Sequence, residues 1–261
     1  MSVLTMFGLS LLLTAPVETG LTVAAQPAPL HGTLLTPEGQ VRAAALILPG
    51  SGPTDRDGNN PLGVAAGTYR KLAEGLAAQG IATVRFDKRG VAQSAAAALN
   101  EADFTFDDNI TDARLWIDET LARTGFACVW LVGHSEGALV ALATAEDDDP
   151  RICGLVLLSG AGRKAGDVLR EQLASAPLPP DLRTAAETAL SELEAGRTTE
   201  APPQLAALFR PSVQPYMISW LALDPAVLAA AYHGPMMVAQ GSTDLQTTLA
   251  DAQALAAARP D

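Results

Sequence analysis

An α/β architecture with a mostly parallel sheet is the fold class this sequence predicts, on three observations. Apolar runs of strand length alternate with stretches whose apolar residues recur at helical spacing. The runs Ala43 to Leu48 and Ile81 to Phe86 read as strands covered on both faces, and Ile152 to Leu158 as a further apolar strand. The 261 residues, 48 % of them hydrophobic, suffice for one large domain with a full core.

The elements follow in order. Val3 to Leu13 is a short apolar run, too short to span a bilayer, followed by Thr14-Ala15-Pro16. It reads either as the apolar part of a secretory signal or as a loose start ahead of the first strand. Residues 1–20 are therefore set apart as a signal or disordered start, and localisation stays open between cytoplasmic and exported. From about residue 20 to Leu48 short strands are expected, with a turn at Thr36-Pro37-Glu38-Gly39 and the last strand ending in Pro49-Gly50-Ser51-Gly52-Pro53. A helix over Thr68 to Gln79 carries Leu72, Ala73 and Leu76 on one stripe and stops at Gly80. Strand Ile81 to Phe86 runs into Asp87-Lys88-Arg89-Gly90. A helix over Asp108 to Arg123, a strand over Cys128 to Val132, a helix over Gly137 to Ala145 and the strand Ile152 to Leu158 follow.

Between Ser159 and Pro235 the rhythm breaks. The pattern is helical, with Leu182, Ala186, Leu190 and Leu193 on one face and prolines throughout. The segment is too long for a loop, so residues 161–232 are expected as a helical cap inserted into a core formed by 21–160 and 233–261. A last strand is expected from Pro235 or Met236 to Ala239. Cys128 and Cys153 have no metal or redox spacing, and buried free thiols are favoured over a bridge between neighbouring strands.

The net charge of −12 repels phosphate backbones and anionic lipid, which argues against nucleic-acid partners and stable membrane insertion. Asp55, Asp57 and Asn59 resemble the start of a calcium loop, but Asn60 and Ala66 stand where Gly and Glu are required. No zinc, phosphate-loop or dinucleotide pattern is present, so no metal and no cofactor is expected.

The sharpest motif is Gly133-His134-Ser135-Glu136-Gly137, between an apolar strand and a helix. A serine on such a sharp turn is lifted above the sheet at a helix N-terminus, and side chains in place of Gly133 or Gly137 would strike neighbouring backbone. Free N–H groups there stabilise developing negative charge. The N–H of Glu136 is one expected oxyanion donor; the other is that of Ser51, with Gly52 as its neighbour. His134 is read as a packing and orienting residue. Asp87-Lys88-Arg89 is read as a bracing network over substrate contact, Arg56 and Asp57 as supports of the early loop, and Glu136 as a side chain that could also reach substrate. Gln240-Gly241-Ser242-Thr243-Asp244 places a carboxylate after a strand, where Asp244 would orient an imidazole.

These motifs, with Pro49 to Asn59 and Phe86-Asp87-Lys88-Arg89-Gly90, resemble the serine-aminopeptidase-like carboxylesterase branch of the α/β-hydrolase superfamily over about residues 25 to 261. Pro49 stands where the family usually has His, which leaves a backbone donor intact. The resemblance implies a mostly parallel α/β-hydrolase sheet, Ser135 as nucleophile and Asp244 as acid. It also implies a histidine after one more helix and strand. Leu249 to Arg259 reads as that helix and the sequence then reaches Asp261, so the last strand and the histidine are expected to be missing, a C-terminally incomplete enzyme. His31 and His233 are poor substitutes by position. The implied activity is cleavage of small carboxylic esters through an acyl-enzyme. Acyl transfer or thioester hydrolysis on the same serine, and a catalytically inactive binding protein of this fold, are the alternatives. Tyr216, Met217 and Trp220 suggest an apolar pocket. Oligomeric state is not read from the sequence.

Overall fold

The computed structural model describes residues 15–98 and 100–259; the run Val3 to Leu13 lies outside the described residues. Strands β1 (Val17–Val23), β2 (Leu30–Thr36), β3 (Ala43–Leu48), β4 (Ile81–Phe86), β5 (Val129–His134), β6 (Ile152–Leu158) and β7 (Met236–Ala239) form one sheet in the order β1-β2-β4-β3-β5-β6-β7. Pairs β1/β2 and β2/β4 are antiparallel, and the remaining pairs are parallel. β1 begins at Val17, so the boundary expected after residue 20 falls inside a strand.

The helices are α1 (Thr68–Ala77), α2 (Phe106–Thr124), α3 (Glu136–Thr144), α4 (Ala165–Ser175), α5 (Pro180–Glu194), α6 (Ala206–Phe209), α7 (Gln214–Leu221), α8 (Pro225–Ala231) and α9 (Leu249–Ala258). Their ends follow local chemistry. Thr105 and Asp108 form a capping box at the start of α2, and Gly125 closes it at φ 74°. Pro180 opens α5, where its missing N–H costs nothing.

Central β3 shows why its run is apolar throughout. Ala44, Leu46 and Leu48 join the core beneath α2 and α3, while Ala45 and Ile47 join the smaller core beneath α1. A strand with a period of two and helices on both sides needs apolar side chains at every position. Among the described residues no helix is long and apolar enough to cross a membrane.

The segment 161–232 divides in two. Helices α4 to α7 bury Leu169, Leu190, Leu193, Phe209 and Met217 in a core of their own. Helix α8 contacts α3 and α9 and sinks Leu228 and Ala229 into the main core, so it belongs to the sheet's helical layer and not with α4–α7.

The cysteines correct an expectation. Cys128 and Cys153 are not free thiols but a disulfide, with their Cα atoms 5.1 Å apart. They meet because β5 and β6 are adjacent parallel strands that both begin at this edge, where the register shifts between Val129 and Trp130.

Candidate active site

Ser135 stands between β5 and α3 with φ 53° and ψ −119°, a conformation sparsely populated by any residue with a side chain. Two close approaches hold it there. A Cβ on Gly133 would lie 2.2 Å from the carbonyl oxygen of Gly137, and one on Gly137 would lie 2.2 Å from that of Leu48. The turn therefore packs against the end of β3 with no room for a methyl group. The Ser135 N–H donates to the Leu158 carbonyl at 2.8 Å, tying the turn to the end of β6.

The loop after β3 meets this turn through Tyr69 of α1. The Gly50 N–H donates to the Tyr69 hydroxyl at 2.8 Å, and that oxygen lies 2.9 Å from Nδ1 of His134. The Tyr69 hydroxyl thus bridges the early loop and the residue beside Ser135. Burial holds the His134 pKa below the usual imidazole range, against a weaker opposing pull from Asp244. Burial likewise pushes the Tyr69 hydroxyl up to about 12, with the charge of Glu136 adding to it against the Gly50 bond. His134 also meets the Tyr69 ring edge-on, with the ring centroids 5.7 Å apart.

Among the described residues, the backbone N–H groups of Ser51 and Glu136 have no protein acceptor. The Glu136 side chain is buried and turned to Lys88, whose Nζ lies 2.9 Å from Oε1. The same Nζ donates to the Gly50 carbonyl at 3.1 Å. The hydroxyl of Tyr216 stands beside the Glu136 carboxylate; burial first, and that charge second, raise its pKa far above the phenol range.

Asp244 follows β7 and accepts from the N–H groups of Gln246 at 2.9 Å and Thr247 at 3.2 Å. Burial works against its ionisation, but these donors outweigh it and hold the carboxyl below the usual range. The acid loop is anchored one strand from the serine: the Ser159 N–H donates to the Ala239 carbonyl, and the Thr247 hydroxyl to that of Ser159.

A cavity of about 800 Å³ opens over this edge and is lined by Ser135, Ser51 and Glu136 from the strand ends. Leu169, Met217 and Trp220 of α4 and α7 line its other side. The expected bracing pairs are present around it. Arg56 binds Asp87, Arg89 binds Asp112, and Asp57 takes both Arg85 and Arg70. Asp55 spends its carboxylate on the N–H groups of Asp57 and Asn59, which accounts for the calcium-like spacing as a turn.

The other histidines are occupied elsewhere. The ring of His31 faces Thr22 on the β1–β2 edge, with β4 and β3 between it and β5. His233 lies before β7, at the opposite edge of the sheet from Ser135, with Nδ1 2.7 Å from Asp148. The contacts of Tyr69 and Tyr216 had no local signal in the sequence; Lys88 had one, its charge cluster after a strand.

Comparison with known proteins decides the family. Residues 62–261 match the family described as serine aminopeptidase, S33. The chain belongs to this family. It is an α/β hydrolase, and the sheet order and mostly parallel pairing agree with the expected fold class. An α/β hydrolase, GrgF, from Penicillium sp. sh18 superposes with a TM-score of 0.61 at 17 % identity, over 93 % of this chain and 86 % of that one. An esterase of Pyrococcus furiosus gives 0.63 at 16 % identity over 94 % and 78 % of the two chains. A thermophilic esterase from Thermogutta terrifontis gives 0.57 at 18 % identity over 94 % and 87 %. No curated protein matches this chain in sequence.

Proposed function

We propose that this S33-family hydrolase cleaves small carboxylic esters through an acyl-enzyme on Ser135. The observation that carries the reading is the strained Ser135 at the floor of the cavity, beside two backbone N–H groups without protein acceptors. In this reading the Ser135 oxygen attacks the ester carbonyl as its proton passes to an imidazole. The oxyanion is held by the N–H groups of Ser51 and Glu136. Collapse of the tetrahedral intermediate expels the alcohol, which takes up the proton, and water then releases the acid by the same steps.

Asp244 is the group that orients and charges against this imidazole. None of the chain's three histidines is placed to be it: His31 faces Thr22, His134 faces Tyr69 and His233 pairs with Asp148. Helices α4 to α7 act as a cap, since their apolar side chains face Ser135 across one cavity and would receive an apolar acyl or alcohol group. The fold shared with solved esterases accommodates this chemistry.

Imidazole in solution can stand in for the base. The wild-type chain with imidazole is expected to hydrolyse p-nitrophenyl acetate at least about tenfold faster than Ser135→Ala under the same conditions: the oxyanion donors are common to both, but only the wild type has a hydroxyl for the imidazole to deprotonate, and general-base assistance is typically worth about 10²–10⁴-fold. Equal rates for the two would overturn the esterase reading and leave a binding protein of hydrolase fold.

A further inference from the structure

Lys88 occupies a position that the esterase reading does not use. It follows β4, and its side chain is 10 % exposed. It crosses beneath the loop after β3 to reach α3. Its ammonium donates to the carbonyl oxygen of Gly50 at 3.1 Å and to the carboxylate of Glu136 at 2.9 Å. The Gly50 carbonyl and the Ser51 N–H are the two ends of one planar amide. A cation on the oxygen end polarises the N–H end and fixes the plane's orientation. The second partner, Glu136, carries the other proposed oxyanion donor on its own backbone. One buried side chain thus touches the peptide unit that carries the Ser51 N–H and the side chain of Glu136, at two different strand ends.

We propose that Lys88 is a positioning residue that sets the spacing and strength of the Ser51 and Glu136 N–H groups as an oxyanion-binding pair. The inference rests on the esterase reading for its catalytic consequence, and on the contacts alone for its structural one. Glu136 neutralises the ammonium that would otherwise be buried unpaired, and the Tyr69 hydroxyl holds the Gly50 N–H so that the loop cannot rotate away from Lys88. Lys88 makes no covalent step and transfers no proton.

The test compares the wild-type chain with Lys88→Met and with the pair variant Lys88→Met/Glu136→Gln. The pair variant removes both charges together, so that a carboxylate left buried alone does not decide the result. In amide proton–nitrogen spectra the Ser51 resonance is expected to move upfield in each variant that folds, as the cation leaves its amide. With p-nitrophenyl acetate and imidazole, kcat is expected to fall about 10- to 100-fold with KM nearly unchanged, the signature of an interaction made in the transition state. A Ser51 resonance unmoved in both variants would overturn the proposal. So would an unchanged kcat beside a wild-type rate that depends on Ser135. A wild-type rate no greater than that of Ser135→Ala instead sinks the esterase reading, and the amide resonances then decide by themselves whether Lys88 holds the two donors.

Discussion

Gly137 concentrates the steric demand of the site into one missing methyl group. Its Cα faces the carbonyl oxygens of Leu48 and Pro49, at 2.2 and 2.7 Å from where a Cβ would sit. Both are backbone atoms at the end of the central strand and cannot swing aside as a side chain would. Gly137→Ala must therefore push α3 away from β3 or tilt the turn that holds Ser135. The cost is expected to be about 2–3 kcal/mol, the upper part of the usual range for overpacking. Urea unfolding followed by tryptophan fluorescence measures it, and a change below about 0.5 kcal/mol would show that the turn has slack. At the same scale, Asp244 shows that burial need not raise a carboxyl pKa: its donors come from its own loop, so the charged form is prepaid by local geometry.

Helix α9 is held at its start by Asp251. This fully buried carboxylate forms a capping box with Thr248, accepts from the Gly162 N–H and pairs with the Arg163 guanidinium at 2.9 Å. Burial opposes its ionisation, but Arg163 and the two N–H donors prevail and lower its pKa. A carboxylate with a lowered folded pKa contributes stability that is complete above its unfolded value, near 3.9. That contribution disappears as pH falls through the lower folded value. Asp251→Ala is expected to cost about 2 kcal/mol at pH 7, the loss of a cap and of a charge-assisted bond to a partly exposed arginine. The gap between variant and wild type should narrow below about pH 4. Urea midpoints at pH 7 and pH 3 give both numbers, and a gap equal at the two pH values would mean that the charge plays no part.

At the scale of the molecule, the disulfide clamps the two strands that lead to the site. Cys128 precedes β5, which leads into Ser135, and Cys153 lies in β6, which leads into Ser159 beside the Asp244 loop. Closing a 25-residue separation restricts the unfolded chain by about 3.5 kcal/mol in the loop-entropy account. Cys128→Ser/Cys153→Ser is expected to lose roughly that stability while keeping the fold, because the sheet's hydrogen bonds and the core around Leu131 and Leu155 remain. A thiol assay on denatured, unreduced protein should find no free cysteine among the two. Two free thiols would remove the basis of this prediction. The sheet's charge network is arranged to the same end: Arg56–Asp87, Arg89–Asp112 and Lys88–Glu136 brace loops that leave β3, β4 and β5 side by side.

The sequence by itself determined the features written within a few residues of one another. The strands show as apolar runs, the turn at Ser135 as two glycines between a strand and a helix, and the acid loop as Gly241 to Asp244 after β7. These patterns are local because helix, strand and turn geometries are local, so composition and period report them directly. Tertiary structure alone decided the rest. Lys88 reaches Gly50 and Glu136 across 38 and 48 residues, and Tyr69 reaches His134 across 65, because the sheet order sets β4, β3 and β5 side by side. For Cys128 and Cys153 the sequence favoured free thiols over a bridge between neighbouring strands, and the strand pairing that sets their Cα atoms 5.1 Å apart decided for the bridge. Helix α8 carries the same amphipathic signal whether it serves a cap or the core, and only its packing on α3 and α9 assigns it. Periodicity records which face of an element is apolar, and the partner of that face is chosen by the order in which the strands assemble.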